Sequence, residues 1–248
     1  MLTLSSESLE GYGLNRIFAF VKEAGFDGID ITLDPSNFDT LNADYLHELI
    51  KTYNLPIVAL QLGLNSSHRD ILNAVEMAKK IEVKIIIVQP PRITQFREIQ
   101  WFKTQIPKLR KKENLSIALE NASPKTYFGI IPQRAMNNLV ELKRFKHACL
   151  DTSRLAEKKE EIIKVSSLLK DYLVHIHLSN VYRGQGHNLP TKGILPLESF
   201  LTKLKDFNYK GAISLKILSK YLEAGNDERV MTNLKECKTF YEKYFLQK

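Results

Sequence analysis

The chain has 248 residues, 44% of them hydrophobic and 26% charged, which is ordinary soluble globular material able to bury a sizeable core. A formal net charge of +8 raises anionic partners such as nucleic acid. The lysines, however, lie among glutamates on helical faces (KLRKKEN at 108–114, EKKEEIIK at 157–164), which describes a solvated surface. The opening MLTLSSESLEG lacks a basic start followed by an apolar stretch, and the longest apolar run, IIIV at 85–88, is too short to span a bilayer. A cytoplasmic chain without signal peptide or membrane span is therefore expected, with Cys149 and Cys237 as buried thiols rather than a disulfide.

In chain order, strand-type runs are LTLS (2–5), GIDITL (28–33), PIVALQLG (56–63), KIIIVQ (84–89), LSIALEN (115–121), HACLD (147–151), LVHIHLSN (173–180) and GAISLKI (211–217). Between them, apolar residues recur at i, i+3, i+4 over 14–25, 41–54, 69–83, 97–114, 135–145, 160–172 and 197–209, with an eighth such segment at 230–247. Trp101, Phe18, Phe20, Phe102, Phe200 and Phe207 fall on these helical segments, where packing is their expected role. Runs apolar on both faces suit strands covered from both sides, hence a parallel sheet. Eight strands alternating with eight helices predict a single-domain (β/α)8 TIM barrel over 1–248. A doubly wound sheet is the rival, but the first turn, SSESLEGYG, has no G-x-G-x-x-G.

A barrel keeps its site at the C-terminal ends of its strands. Three strands end in groups able to ligate a metal: Glu120 in IALEN, Asp151 in ACLD and His177 in HIHLSN. His175 shares a face with His177 at period two and reads as structural. A carboxylate pair and an imidazole would suit Mn²⁺, Mg²⁺, Co²⁺ or Zn²⁺. Each has a bland alternative, since strand-end acids also cap helices and buried histidines are usually satisfied by hydrogen bonds. Arg92, Lys125, Tyr127, Arg154, Arg183 and His187 lie in loops at the same end. With Lys216 they predict a positive mouth that favours a carboxylate or phosphate on the substrate.

GFDGIDI, LEN, LD, HxHLxN and the 187–211 segment (H-N-L-P-x-K-G-x-L-x-L-x-x-F-L-x-x-L-K-x-x-x-Y-x-G) together resemble the xylose isomerase-like TIM barrels. The resemblance implies a sugar or sugar-phosphate isomerase or epimerase, often dimeric or tetrameric, moving a proton next to a carbonyl. It also implies one divalent metal held by a Glu, an Asp, a His and a second Glu at the ends of strands 5 to 8. The matching positions are Glu120, Asp151, His177 and Lys216, so the fourth ligand is reversed in charge. Glu120 and Lys216 are the expected catalytic groups, and Gln61, Gln89, Tyr127, Arg154, Arg183 and His187 the expected substrate contacts. Lys216 would weaken or abolish the metal: it takes the ion's place against Glu120 and Asp151, where a lowered pKa would let it serve as a base, or a metal stays on Glu120, Asp151, His177 and water without the second base. Two rivals follow: a non-catalytic ligand-binding barrel, and a DNA-binding protein like the apurinic/apyrimidinic endonucleases of this fold. The nuclease branch carries extra metal-binding histidines, where this chain has Asp30 or Asp34, Gln61, Gln89 and Arg154; this weighs against nucleic acid as a partner.

Overall fold

The computed structural model describes residues 1–247. Eight parallel strands close into a barrel: β1 (Leu2–Ser5), β2 (Gly28–Leu33), β3 (Ile57–Leu62), β4 (Ile85–Val88), β5 (Ser116–Glu120), β6 (Ala148–Asp151), β7 (Leu173–Leu178) and β8 (Ala212–Leu215). They neighbour one another in chain order, and β1 pairs with both β2 and β8 to complete the ring. Around the barrel run α1 (Leu14–Glu23), α2 (Ala43–Tyr53), α3 (His68–Lys80), α4 (Phe96–Thr104), α5 (Ile106–Glu113), α6 (Leu139–Phe145), α7 (Thr152–Glu157), α8 (Ile162–Leu169), α9 (Leu197–Asp206) and α10 (Asp227–Tyr241).

Alternation along each strand divides the core in two. Outward side chains such as Leu4, Ile31, Leu60, Ile86, Leu119, Leu150, Ile176 and Leu215 pack beneath the helices with Phe18, Phe102 and Phe200 in one cluster. Inward side chains fill the lumen, where Ala59, Ile87, Ala118 and Cys149 form a separate small cluster. Cys149 and Cys237 are both free and buried, as their sequence context predicts.

Three features depart from the element pattern expected of the sequence. The helical segment at 97–114 is broken into α4 and α5, because Pro107 falls in the first turn of α5 and supplies no N–H to a continuing helix. A short helix, α7, starts directly on the strand-end Asp151, which caps it. Two hairpins, Thr126–Tyr127 with Ile131–Pro132 and Asn180–Tyr182 with Gln185–Asn188, stand on the long loops after β5 and β7.

Gly28 in the GFDGIDI stretch is required by a close approach of backbones. A Cβ there would lie 2.6 Å from Val58 Cγ2 and 2.9 Å from the Pro56 carbonyl oxygen, and the backbone atom cannot swing aside. Gly28→Ala should cost about 1–3 kcal/mol, the range for overpacking a tight interior. Urea unfolding would register it as a lower midpoint at unchanged m-value.

Candidate active site

The strand ends bring their polar groups to one place. Glu120 ends β5, Asp151 ends β6, His177 lies one residue before the end of β7, and Lys216 follows β8. All four are buried. Glu120 is the hub. Its Oε1 accepts from His177 Nδ1 and lies 3.4 Å from Lys216 Nζ, while its Oε2 accepts from Gln89 Nε2 and from Arg154 Nη1 at 3.0 Å. Arg154 Nη1 also reaches Gln89 Oε1 at 3.0 Å, and its Nε stands 3.4 Å from Asp151 Oδ2.

Lys216 pairs with Glu120 but not with Asp151. Its second carboxylate is Glu7 Oε2 at 3.4 Å, from the turn after β1, which barrel closure makes the neighbour of β8. Asp151 is taken instead by Arg154, three residues further on along α7, whose backbone N–H also donates to Asp151 Oδ1 at 3.0 Å. Burial alone would lower the Lys216 pKa, but Glu120 and then Glu7 more than offset it, so the pKa is raised. Lys216 is thus an ammonium group at neutral pH, and the expected base of lowered pKa is not what this environment produces. Burial likewise pushes the Glu120 carboxyl up, yet Lys216, Arg154 and His177 hold it well below the ordinary carboxylate range. Burial, reinforced by Lys216, lowers the His177 pKa, leaving a neutral imidazole.

The fit to a divalent ion can be judged from these partners. Both oxygens of Glu120 are engaged, and two cationic side chains lie within 3.4 Å of it. A dication beside them would meet like-charge repulsion of several kcal/mol at a few ångströms in a partly buried site. Among the described residues, Asp151 joins neither group whose ligand atoms lie mutually within 4.8 Å; these are Glu120, Cys149 and His177, and Asp30, His175 and His177. In the first group burial and then Glu120 push the Cys149 thiol pKa well up, so it offers no thiolate. The mouth as built does not fit the divalent ion that the resemblance implies.

Above this network opens a pocket of about 520 Å³, lined among others by Glu7, Glu10, Asp34, Arg154, His187 and Lys216. Its carboxylates outnumber its cations, so the positive mouth expected from the loop arginines does not form. Arg92 is exposed and bonds Asn65 at 2.9 Å. Arg183 turns to solvent at the tip of the second hairpin, its guanidinium 5.1 Å from the Tyr182 ring centroid. Tyr127 is half-buried in the first hairpin and does not line the pocket. Gln61 is buried at the end of β3, and Gln89 serves Glu120. His187 does face the pocket, with Nδ1 3.2 Å from the Lys216 carbonyl oxygen and Nε2 3.8 Å from Asp151 Oδ2.

Three contributors are absent from the strand-end reading. Glu7 carries no sequence signal beyond an acid in the turn after strand 1; only the pairing of β1 with β8 sets it against Lys216. Asn121 of the LEN motif clamps Asp151, accepting its N–H at 2.7 Å and donating to its carbonyl at 3.0 Å. Asn180 of HxHLxN folds the long loop back on itself, bonding the Pro190 carbonyl and accepting from Leu195 N–H.

Comparisons with known proteins agree with this architecture. Residues 18–237 match the family described as xylose isomerase-like TIM barrel. An uncharacterized protein of Methanocaldococcus jannaschii is 22% identical, the match covering 86% of each chain. Among solved structures, D-psicose 3-epimerase from Clostridium cellulolyticum H10 is similar with a TM-score of 0.74 at 14% identity, covering 98% of this chain and 99% of that one. An AP endonuclease, family 2, from Brucella melitensis gives 0.68 at 13% identity, covering 89% and 96%. At such identities the structural matches establish the fold.

Glu120 sets an expectation for pH. Because its folded pKa lies below the ordinary value of 4.5, its stabilisation is present above that pH and is lost as pH falls through the folded value. Glu120→Gln should cost about 3–5 kcal/mol at pH 7 by leaving Lys216 and Arg154 without their shared partner. The variant should also lose stability less steeply than the parent below pH 4.5, in urea unfolding run across the acid range.

Proposed function

Since the chain belongs to the xylose isomerase-like TIM barrel family, we propose that it is a sugar isomerase- or epimerase-like protein that moves a proton next to a substrate carbonyl without a mouth-bound metal. The observation carrying this reading is Lys216 Nζ held between Glu120 and Glu7 beside the pocket. The similar D-psicose 3-epimerase structure, solved with D-tagatose, supports a small ketose as substrate class, and the acid-rich lining favours a neutral polyol over a sugar phosphate.

In this reading the Lys216 ammonium donates to the substrate carbonyl oxygen and stabilises the negative charge that develops there. Glu120 is a positioning residue: it fixes Lys216, Arg154 and His177 and has no free oxygen for the substrate. Glu7 is 42% exposed at its side chain and lines the pocket. Its carboxylate takes the proton from the carbon next to the carbonyl, leaving an enolate at Lys216; return of a proton to either face of that carbon gives back substrate or its epimer. Glu7 returns its proton to the face it took it from and water supplies the opposite face. His187, whose Nδ1–H faces the Lys216 carbonyl, lines the pocket from the loop after β7 and can accept from a substrate hydroxyl at Nε2. Gln89 and Arg154 occupy positions where the nuclease branch is expected to carry metal ligands, and here they bond Glu120, which favours sugar chemistry over phosphodiester cleavage.

The test is deuterium uptake from D₂O into D-psicose, D-tagatose and related ketoses, followed by proton NMR. The expected outcome is exchange at the carbon beside the carbonyl, reduced about 10²–10⁴-fold in Glu7→Gln and at least about 10²-fold in Lys216→Met. Exchange that persists in Lys216→Met would sink the proposed role of the ammonium. Thermal stabilisation by a ketose without exchange would establish the rival, a ligand-binding barrel that does no chemistry.

A further inference from the structure

The lumen of this barrel is divided into two chemically different halves. On the side of β3, β4, β5 and β6 it holds Ala59, Ile87, Ala118 and Cys149, the kind of filling that barrel interiors usually have. On β7, β8, β1 and β2 it holds His175, His177, Ser214, Thr3, Ser5 and Asp30, all fully buried. Among the described residues, Thr3 Oγ1, Ser5 Oγ, Asp30 Oδ1, His175 Nδ1, His177 Nε2 and Ser214 Oγ have no hydrogen-bond partner. Gln61 Oε1 and Asp151 Oδ2, at the ends of β3 and β6, are unpartnered as well, but below the mouth such atoms gather on β7, β8, β1 and β2. Since buried polar atoms are normally paired with protein, water or an ion, that gathering points to a ligand.

The donor chemistry says which kind. Asp30 Oδ2 lies 2.7 Å from His175 Nε2 and 3.8 Å from His177 Nε2. His177 directs its Nδ1–H to Glu120, so its Nε2 carries a lone pair aimed towards a carboxylate. Two acceptors facing one another in this way are satisfied by a shared cation. A metal-bound imidazole characteristically gives its other N–H to a carboxylate, as His177 does to Glu120. Two imidazoles and one carboxylate form a donor set for divalent transition ions.

We propose that the polar half of the lumen binds one divalent ion of the Zn²⁺/Co²⁺ class through Asp30, His175 Nε2 and His177 Nε2, below the mouth and separate from the substrate pocket. Ligation replaces the 2.7 Å bond between His175 Nε2 and Asp30 Oδ2 with two bonds to the ion. The imidazole proton moves to Nδ1, which has no protein partner in the closed lumen and needs a water or a hydroxyl turned towards it, while the charge of His175 is unchanged. The ion would tie β2 to β7, strands not adjacent in the barrel. Full enclosure makes it a structural brace.

Because the site is closed, the ion must be available as the chain folds. The full chain is to be expressed in minimal medium supplemented with Co²⁺ and dialysed against EDTA, and its Co²⁺ and Zn²⁺ read by elemental analysis. The expected content is about one ion per chain, with X-ray absorption reporting two imidazole ligands. Asp30→Asn and His175→Gln should each lower that content at least tenfold, while Asp151→Asn retains it. A folded, metal-free parent chain would overturn the proposal, as would an ion lost in Asp151→Asn but kept in Asp30→Asn. Should both lumen variants fail to fold, the parent spectrum decides, because an ion at the mouth would show one imidazole, from His177, rather than two.

Discussion

A single buried carboxylate, Glu120, organises the site of this barrel. Removing a charged group from water costs several kcal/mol unless opposite charge and hydrogen bonds replace the solvent. Here that requirement is met from three strands and a helix. Gln89 arrives from the end of β4, Arg154 from α7, His177 from β7 and Lys216 from β8. Each donor is in turn fixed by the bond it makes, so the mouth is held rigid by one group's need for partners.

That constraint explains why a lysine can stand where the resemblance implies a fourth metal-binding carboxylate. An ammonium beside Glu120 compensates the same negative charge that a metal would, and Glu7 restores an acid from the adjacent β1 side. The substitution therefore preserves charge balance while changing the chemistry available. In the proposed reading a protonated amine stands in for a Lewis acid, and the carboxylate facing the pocket comes from the turn after strand 1 rather than from strand 8. The same pairing fixes the His177 tautomer and so turns its second nitrogen towards Asp30.

Much of this was legible in the sequence because it depends on local periodicity. Eight runs apolar on both faces predicted a covered parallel sheet, and the eight strands lie within a residue or two of the expected limits. Placing Glu120, Asp151 and His177 at strand ends needs only the position of each strand. The break at Pro107 was equally local, and the predicted long helix ran through it because the apolar period continues on both sides. Loop residues fared differently: Arg183 and Tyr127 went to hairpins whose turns face solvent or pack elsewhere, since loop direction follows tertiary contacts rather than pattern.

By itself the sequence determined the (β/α)8 order, the strand-end polar groups and the reversal of charge at Lys216, because each is a property of one residue or one short period. The tertiary structure alone decided who pairs with whom. Closure of the ring brings β1 against β8, so Glu7 meets Lys216 although 208 residues of chain lie between them. The turn of α7 back over its own cap gives Asp151 to Arg154 instead. Pairing of buried charges is settled by which groups share a desolvated space, and that space exists only once the barrel has closed.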